Sequence, residues 1–534
     1  MTRTYDAVVV GAGPNGLVAA NLLADAGWSV LVLEQQPEVG GAVRSDDDVH
    51  PGFVHDTFSS FYPLSAASRT IRALHLEEHG LEWCHAPAVL GHPFPDGSWA
   101  LLHRDREVTA ALADERHAGD GEAWLALSDL WDRIGDSFVD ALLSPFPPVR
   151  HGARFLADVA RSGGVDLVKE LLTPVLSFGD HRFGGEGPTM LLAGNAGHSD
   201  LPPTAPGSGV FALLLTLGGQ QHGFPVPRGG AGMLTQAMAR RFASRGGEVR
   251  CEAEVTRVEV VAGRAVGVRT ADGEAYVARR AVVADVLASK LWGGLVPPEH
   301  VPARTARRMR GFDLDPGTVK VDWALSGPIP WAQAPAHAPG TFHVADGLED
   351  LTTTLGQVAA RAIPDRPFML AGQMTTSDPT RSPEGTESVW SYAHVPQHAT
   401  HDAGAGGPGG EVRGVWDADD CERFADRMQA RIEERAPGFG SRILARRVLG
   451  PHEMEERDAN LVRGALNGGT SQLHQELFLR PVPGLGRAET SVRGLYLGSS
   501  SAHPGGGVHG ACGANAARAA LAHDRVRRVL GKRR

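Results

Sequence analysis

A Rossmann-type α/β domain, interleaved with a second domain of mixed sheet and helix, is what three stretches of this sequence predict. The first is Tyr5–Arg44. There an apolar run breaks into Gly11-x-Gly13-x-x-Gly16, a helical pattern follows, and a second apolar run ends in Glu34. The second is a set of short alternating runs between Glu248 and Ala284. The third is Gly494–Leu530, where an apolar run, a glycine-rich turn and a helical pattern recur at the other end of the chain.

In the first stretch Gly11 supplies a tight turn, Gly13 lets backbone approach a pyrophosphate, and Gly16 lets the helix pack on the sheet. With Pro14 and Asn15 they form the expected phosphate-binding lip, where a helix N-terminus offers unpaired N–H groups and partial positive charge. Glu34, followed by Gln35, lies eighteen residues after Gly16. A carboxylate at that distance accepts hydrogen bonds from a ribose diol and repels a 2′-phosphate. Glycine turns are common, but here the strand, helix and acid all stand where the nucleotide reading requires them. Gly40, Gly41, Ala42 and Arg44 then resemble the extended fingerprint of the large FAD-binding superfamily. A second glycine pair brings another backbone segment to the same pyrophosphate, and Arg44 is expected to neutralise it.

A chain of 534 residues calls for more than one domain. Its 42% apolar and 21% charged residues are those of a globular protein, and a net charge of −10 argues against nucleic acid as a partner. Cys84, Cys251, Cys421 and Cys512 form no Cys-x-x-Cys pair, so neither a dithiol redox centre nor a metal is expected. Scattered cysteines, a nucleotide strand starting near residue 5 and no long apolar run predict a cytoplasmic protein without a leader or membrane span. Peripheral membrane contact is open to the apolar Gly209–Gly218 and to the basic end Arg525–Arg534.

The nucleotide domain is expected from residues 1–69, 225–299 and 441–534, and the substrate domain from 70–224 and 300–440. Helical patterns cover Ser68–Gly80, Gly121–Leu143, Val165–Leu176, Thr235–Ser244 and Asp417–Ala436. Strand patterns cover Trp99–His103, Lys320–Leu325, Phe368–Gly372 and Ser388–His394, and His401–Gly414 reads as a mobile glycine-rich loop. Gly209–Gly218 reads as a buried helix or the wall of an apolar tunnel.

End to end, the chain resembles the phytoene desaturase-like branch of FAD-dependent oxidoreductases, within the glutathione reductase/amine oxidase-like superfamily. The subgroup it looks most like carries the name pyridine nucleotide-disulfide oxidoreductase domain-containing protein 2. The motifs are Gly11–Gly16 with Glu34, Gly40–Arg44, Phe53–Pro63, Asn195–Asp200, Pro225–Leu234 and His503–Gly510. The resemblance implies FAD, with Ser59 and Ser60 near the flavin ring and the backbone of Val255 at the adenine. It also places Gly498 and Ser499 at the ribityl chain, where many relatives hold an acid, and Gly507 and Val508 under the pyrimidine edge.

The implied activity is hydride transfer to flavin N5 from a small apolar substrate, polyene or isoprenoid-like, in a dehydrogenase, desaturase or isomerase. Oxygen or a quinone would take the electrons. No redox cysteine pair and no second Gly-x-Gly-x-x-Gly opens a helix, so no dedicated NAD(P)H domain is expected. One alternative is a flavin amine oxidase, which five tyrosines and the His-Pro-Gly turn fit less well. Another is a non-enzymatic prenyl- or lipid-binding escort, which the intact glycines disfavour. Forming a conjugated alkene needs no strong acid or base. His198, Asp200, His503 and His509 are the candidates for proton transfer, each more readily explained as a loop holder.

Overall fold

From Ala7 onward the strand Arg3–Val10 is buried on both faces, as an all-apolar parallel strand covered by other elements must be. The computed structural model describes residues 3–484 and 486–531. Val30–Leu33 and Ala275–Ala284 flank that first strand in parallel. Glu248–Arg250 and Leu495–Leu497 extend the parallel part on either side. Val255–Val261 and Arg264–Thr270 continue the sheet as an antiparallel hairpin. Side chains alternate between two cores. Ala7 and Val9 pack with the helices Pro14–Asp25, Gly232–Ser244 and Ala511–Gly531. Val8 and Val10 face the hairpin residues Val255, Val258 and Val268.

The second sheet has seven strands, in the spatial order Ile443–Leu449, Gly317–Leu325, Glu387–Val395, Met369–Gln373, Pro339–Val344, Ala88–Pro93 and Trp99–Leu102. It is antiparallel except where Pro339–Val344 runs parallel to Ala88–Pro93. Because Ile443–Leu449 pairs with Gly317–Leu325, the substrate sheet runs past the expected boundary at residue 440. Helices Asp120–Leu143, Glu186–Ala196 and Ser208–His222 pack on this sheet through Trp124, Leu192, Leu213 and Leu370.

Several local expectations change. Ser68–Gly80 is not one helix but Pro63–Ala67, Arg69–Arg72 and a 3₁₀ turn at Leu76–His79. Ser68 ends the first piece and caps the second, its Oγ accepting from the Ile71 N–H. Val165–Leu176 divides at Pro174 into Val165–Leu172 and Val175–Asp180, since proline lacks the N–H a helix interior needs. Helix Val149–Arg161, which is strongly amphipathic, and strands Ala88–Pro93 and Pro339–Val344 are additions to the expected elements. The loop His401–Gly414 is pinned: the buried Arg427 donates to Asp402 at 2.7 and 2.6 Å and to the Gly410 carbonyl at 2.6 Å. In the basic tail Arg527 and Arg528 pair with Asp524 at 3.3 and 2.9 Å; residues 532–534 lie outside the described residues. Among the described residues no helix is long and apolar enough to cross a membrane.

Candidate active site

A single cavity of about 1110 Å³ runs from the first glycine turn, along the junction of the two domains, to an opening beside Leu172, Leu473 and Leu477. Its nucleotide end is lined by Gly11, Gly13, Pro14, Asn15, Glu34, Gln35, Gly41, Ala42 and Val255. The glycines are packing requirements. Gly11 sits at φ +96°, and a Cβ on Gly16 would stand 2.1 Å from the Gly11 carbonyl oxygen. Gly41, at φ +54°, lies so close that its Cβ would meet the Gly13 Cα at 3.1 Å, and the Gly40 N–H donates to the Ala12 carbonyl at 3.0 Å. The two glycine segments thus form one cradle. Glu34 accepts from the Ala12 N–H at 2.7 Å and the Gln36 N–H at 2.9 Å, which fixes its carboxylate at the cavity wall.

At the other end of the chain, Ser500, Gly507, Val508 and His509 line the same cavity as Ser59 and Ser60. The turn is docked by Ser68 Oγ, which donates to the His509 carbonyl at 2.7 Å, and by Ser65 Oγ on the Val508 carbonyl. A Cβ on Gly513 would lie 1.9 Å from the Asn15 carbonyl oxygen, so the last helix abuts the first one at its phosphate-facing end. Gly16, Gly40, Arg44, Gly498 and Ser499 are not on the wall.

Two of these expectations need correcting. Arg44 is off the cavity wall: it donates to the carbonyls of Gly41 at 3.0 Å and Arg457 at 2.8 Å and so shapes the loop. Ser499 spends its hydroxyl on the Val286 carbonyl at 2.7 Å, and its neighbour Ser500 takes the place at the wall.

Sequence reasoning missed Asp285 and Asp458. Asp285 directly follows the strand Ala275–Ala284, as Glu34 follows its own strand, and the carboxyl ends of parallel strands are where ligands bind. Its Oδ2 accepts from the Gly16 N–H at 2.7 Å. Burial pushes its carboxyl up to about 8, and the neighbouring Asp458 and Glu34 push the same way. At neutral pH it therefore holds a proton and adds no charge beside a pyrophosphate. The folded chain retains that proton where the unfolded chain, at the ordinary value of 3.8, has released it. The resulting stabilisation is complete at low pH and is lost as pH rises toward about 8. Asp285→Asn keeps the acceptor and should flatten this slope by up to about 1.4 kcal/mol per pH unit in urea unfolding of the flavin-free protein. Parallel wild-type and variant curves between pH 5 and 7.5 would mean the carboxyl is charged at neutral pH.

The substrate end is built on one face of the second sheet. Lys320, Tyr392, Leu370 and His343 are opposite one another on four adjacent strands and form a single cross-strand row on the cavity wall. Thr318, Trp390 and Thr341 come from the neighbouring rows. The helices supply Phe138, Leu142, Val210, Phe211 and Leu214, so Gly209–Gly218 is indeed wall as well as core. Trp390 and Tyr392 stand edge to face at 5.2 Å, with Phe61 6.0 Å from Trp390. Lys320 is paired with Asp322, which also accepts from Arg447 at 2.8 and 3.1 Å. Burial lowers the ammonium to about 8 against the pull of Asp322. A lone lysine two residues from an acid inside an apolar strand was the available sequence signal.

The four acid–base candidates separate. His198 is on the cavity wall. Asp200 is not. It accepts from the Thr470 hydroxyl and from the Ser471 N–H at 2.7 Å, and so holds a loop. His503 engages the Ser144 carbonyl at 3.2 Å behind the turn. His509 reaches the cavity, yet its Nδ1 accepts from the Ala511 N–H at 3.0 Å and caps the last helix. Burial lowers both His503 and His509 to about 4, so both are neutral.

Residues 9–75 match the family model of an NAD(P)-binding Rossmann-like domain, and residues 147–317 that of flavin containing amine oxidoreductase. Pyridine nucleotide-disulfide oxidoreductase domain-containing protein 2 of Mus musculus is 32% identical over 556 residues, covering 96% of this chain and 92% of the mouse protein. The chain belongs to that family. Phytoene desaturase (lycopene-forming) of Pantoea ananas is 22% identical over 528 residues, covering 96% of this chain and 98% of that protein. The solved structure of putrescine oxidase bound to putrescine shares the fold, with a TM-score of 0.61 at 17% identity and coverage of 98% and 100%. This family member is an FAD-binding oxidoreductase of the amine-oxidase/phytoene-desaturase superfamily. All four cysteines are free in this structure, Cys84 and Cys251 half-buried and Cys421 and Cys512 buried.

Proposed function

We propose that the chain oxidises a substrate with a large apolar body, delivering hydride from a C–H bond to flavin N5. The observation that carries this reading is continuity: the two-glycine cradle opens into a chamber walled by Phe61, Phe138, Phe211, Leu214, Leu370 and Trp390. FAD, when bound, supplies the two-electron acceptor. Gly13, Gly41, Glu34 and Asp285 would hold its diphosphate and ribose, and the turn Gly506–His509 would lie at the ring. The chamber side chains orient the substrate and exclude water. Lys320 holds a proton at Nζ on the chamber floor. Oxygen or a quinone remains the proposed electron acceptor.

Two kinds of bond fit this chamber. An amine C–H has the stronger support from family comparison, through the match of residues 147–317. The aromatic pair Trp390–Tyr392 also supplies the kind of aromatic wall that five tyrosines in the sequence did not suggest. A hydrocarbon C–H is supported by the apolar helices of the chamber and by likeness to phytoene desaturase. Anaerobic mixing of the flavoprotein with amine and with lipid fractions decides between them, through which fraction bleaches the flavin band. Reduction by NAD(P)H alone would overturn both versions.

A further inference from the structure

A half-buried histidine meets a buried one in the chamber wall. His198 follows the helix Glu186–Ala196, and His343 stands on the strand Pro339–Val344. Their Nε2 atoms lie 3.2 Å apart, with the rings edge to face at 5.3 Å. One Nε2 must donate and the other accept, which assigns opposite tautomers to the pair. The surroundings choose between the two assignments. His343 Nδ1 is sealed with no partner among the described residues, pressed on Gly194 so closely that a Cβ there would lie 2.1 Å away. A sealed N–H without an acceptor is rarer than a sealed lone pair without a donor. The proton of His343 therefore belongs on Nε2, where it is donated to His198 Nε2.

His198 must then carry its proton on Nδ1. Among the described residues that nitrogen has no hydrogen-bond partner, and it is not one of the sealed polar atoms. His198 itself is on the cavity wall. The geometry points to His198 Nδ1–H as a fixed hydrogen-bond donor of the chamber, selecting an apolar ligand that carries an uncharged oxygen acceptor, a carbonyl or hydroxyl. This inference rests on the chamber being the substrate site of the proposed oxidoreductase and narrows its substrate class. Burial keeps the pair neutral, with His198 lowered to about 3 and His343 well below its ordinary value. Neighbouring His92 and His394, lowered to about 3 and about 4, are neutral as well. His343 is a positioning residue, because it touches the ligand's partner and sets the direction of its bond.

The test is calorimetric binding of octane and of 2-octanone to the FAD-loaded protein at neutral pH. His198→Phe should weaken 2-octanone about tenfold, roughly 1.4 kcal/mol, while octane stays within about threefold. His343→Gln keeps an N–H donor and should leave 2-octanone near wild type, whereas His343→Leu should weaken it. Equal loss of both ligands in His198→Phe, or no loss of 2-octanone, overturns the assignment. Should the variants fold poorly, nitrogen-15 histidine resonances of the wild type give the tautomers directly: Nδ1–H on His198 and Nε2–H on His343 are required, and the reverse pair refutes it. Flavin content and bleaching by substrate are measured separately, so a protein without flavin chemistry fails the functional reading without touching the tautomer result.

Discussion

Gly13→Val should purify as a folded protein without flavin. Gly13 precedes the helix Pro14–Asp25 in extended backbone at φ −68°, a conformation valine tolerates, so the chain is not strained by the change. A Cβ at this position meets only the far end of the Asp285 side chain, at 3.0 Å. The rest of the valine would project into the cavity where Gly41 and the helix N-terminus converge. Phosphate oxygens then lose close approach to the backbone N–H groups, the interaction the site is built around. A loss of more than about 4 kcal/mol in affinity, roughly a thousandfold, is expected. It would be read as flavin absorbance per mole of protein alongside an unchanged circular dichroism spectrum. Stoichiometric flavin in this variant would show that the pyrophosphate lies elsewhere.

Arg480→Met should cost about 3–5 kcal/mol of stability, the range for breaking a buried ion pair. The side chain is fully buried, and all five of its N–H groups are used. It donates to the carbonyls of Ser500 at 3.0 Å, Thr470 and Asn467 at 2.9 Å and Gly469 at 3.3 Å, and to Glu476 at 2.9 Å. Methionine fills similar volume but leaves four carbonyls and a carboxylate without their donor. Burial already pushes Glu476 up to about 7, opposed by the Arg480 charge. Asn467, Glu476 and Ser500 line the cavity, so the same substitution should loosen flavin binding. Denaturant unfolding of the flavin-free and flavin-loaded forms separates the two effects. A variant within about 1 kcal/mol of wild type would mean that water replaces the guanidinium, against the sealed packing around it.

Arg480 also illustrates what could not be read in advance. It stands in a stretch without periodicity, just before Pro481 and Pro483, and nothing in its neighbours announces five carbonyl and carboxylate partners. Asp285 was closer to legible, since its position after a strand repeats that of Glu34. Lys320 and Asp322 were visible as charges in an apolar strand, but which face they take depends on pairing. The corrections at Arg44 and Ser499 share a cause. Each is a polar side chain at a motif position whose hydrogen bonds are claimed by a carbonyl elsewhere in the chain, Arg457 for one and Val286 for the other. Motif spacing places a residue near a ligand, and the competition for its hydrogen bonds is settled by neighbours that the spacing does not contain.

By itself the sequence determined the nucleotide end. Gly11, Gly13, Gly16, Glu34 and Gly41 act through backbone conformation and local distance, and such properties are carried by a few consecutive residues wherever they fold. The tertiary structure decided the sheet side of the chamber. Lys320, Tyr392, Leu370 and His343 come from strands spread over the middle of the chain and become neighbours only through sheet register. A shift of one residue in any of those pairings would turn a wall residue to the opposite face. The bond between His198 and His343 depends on the same register, because it joins residues 145 positions apart. Cofactor recognition is therefore written in contiguous motifs, while substrate choice is written in pairings that exist only once the second sheet has formed.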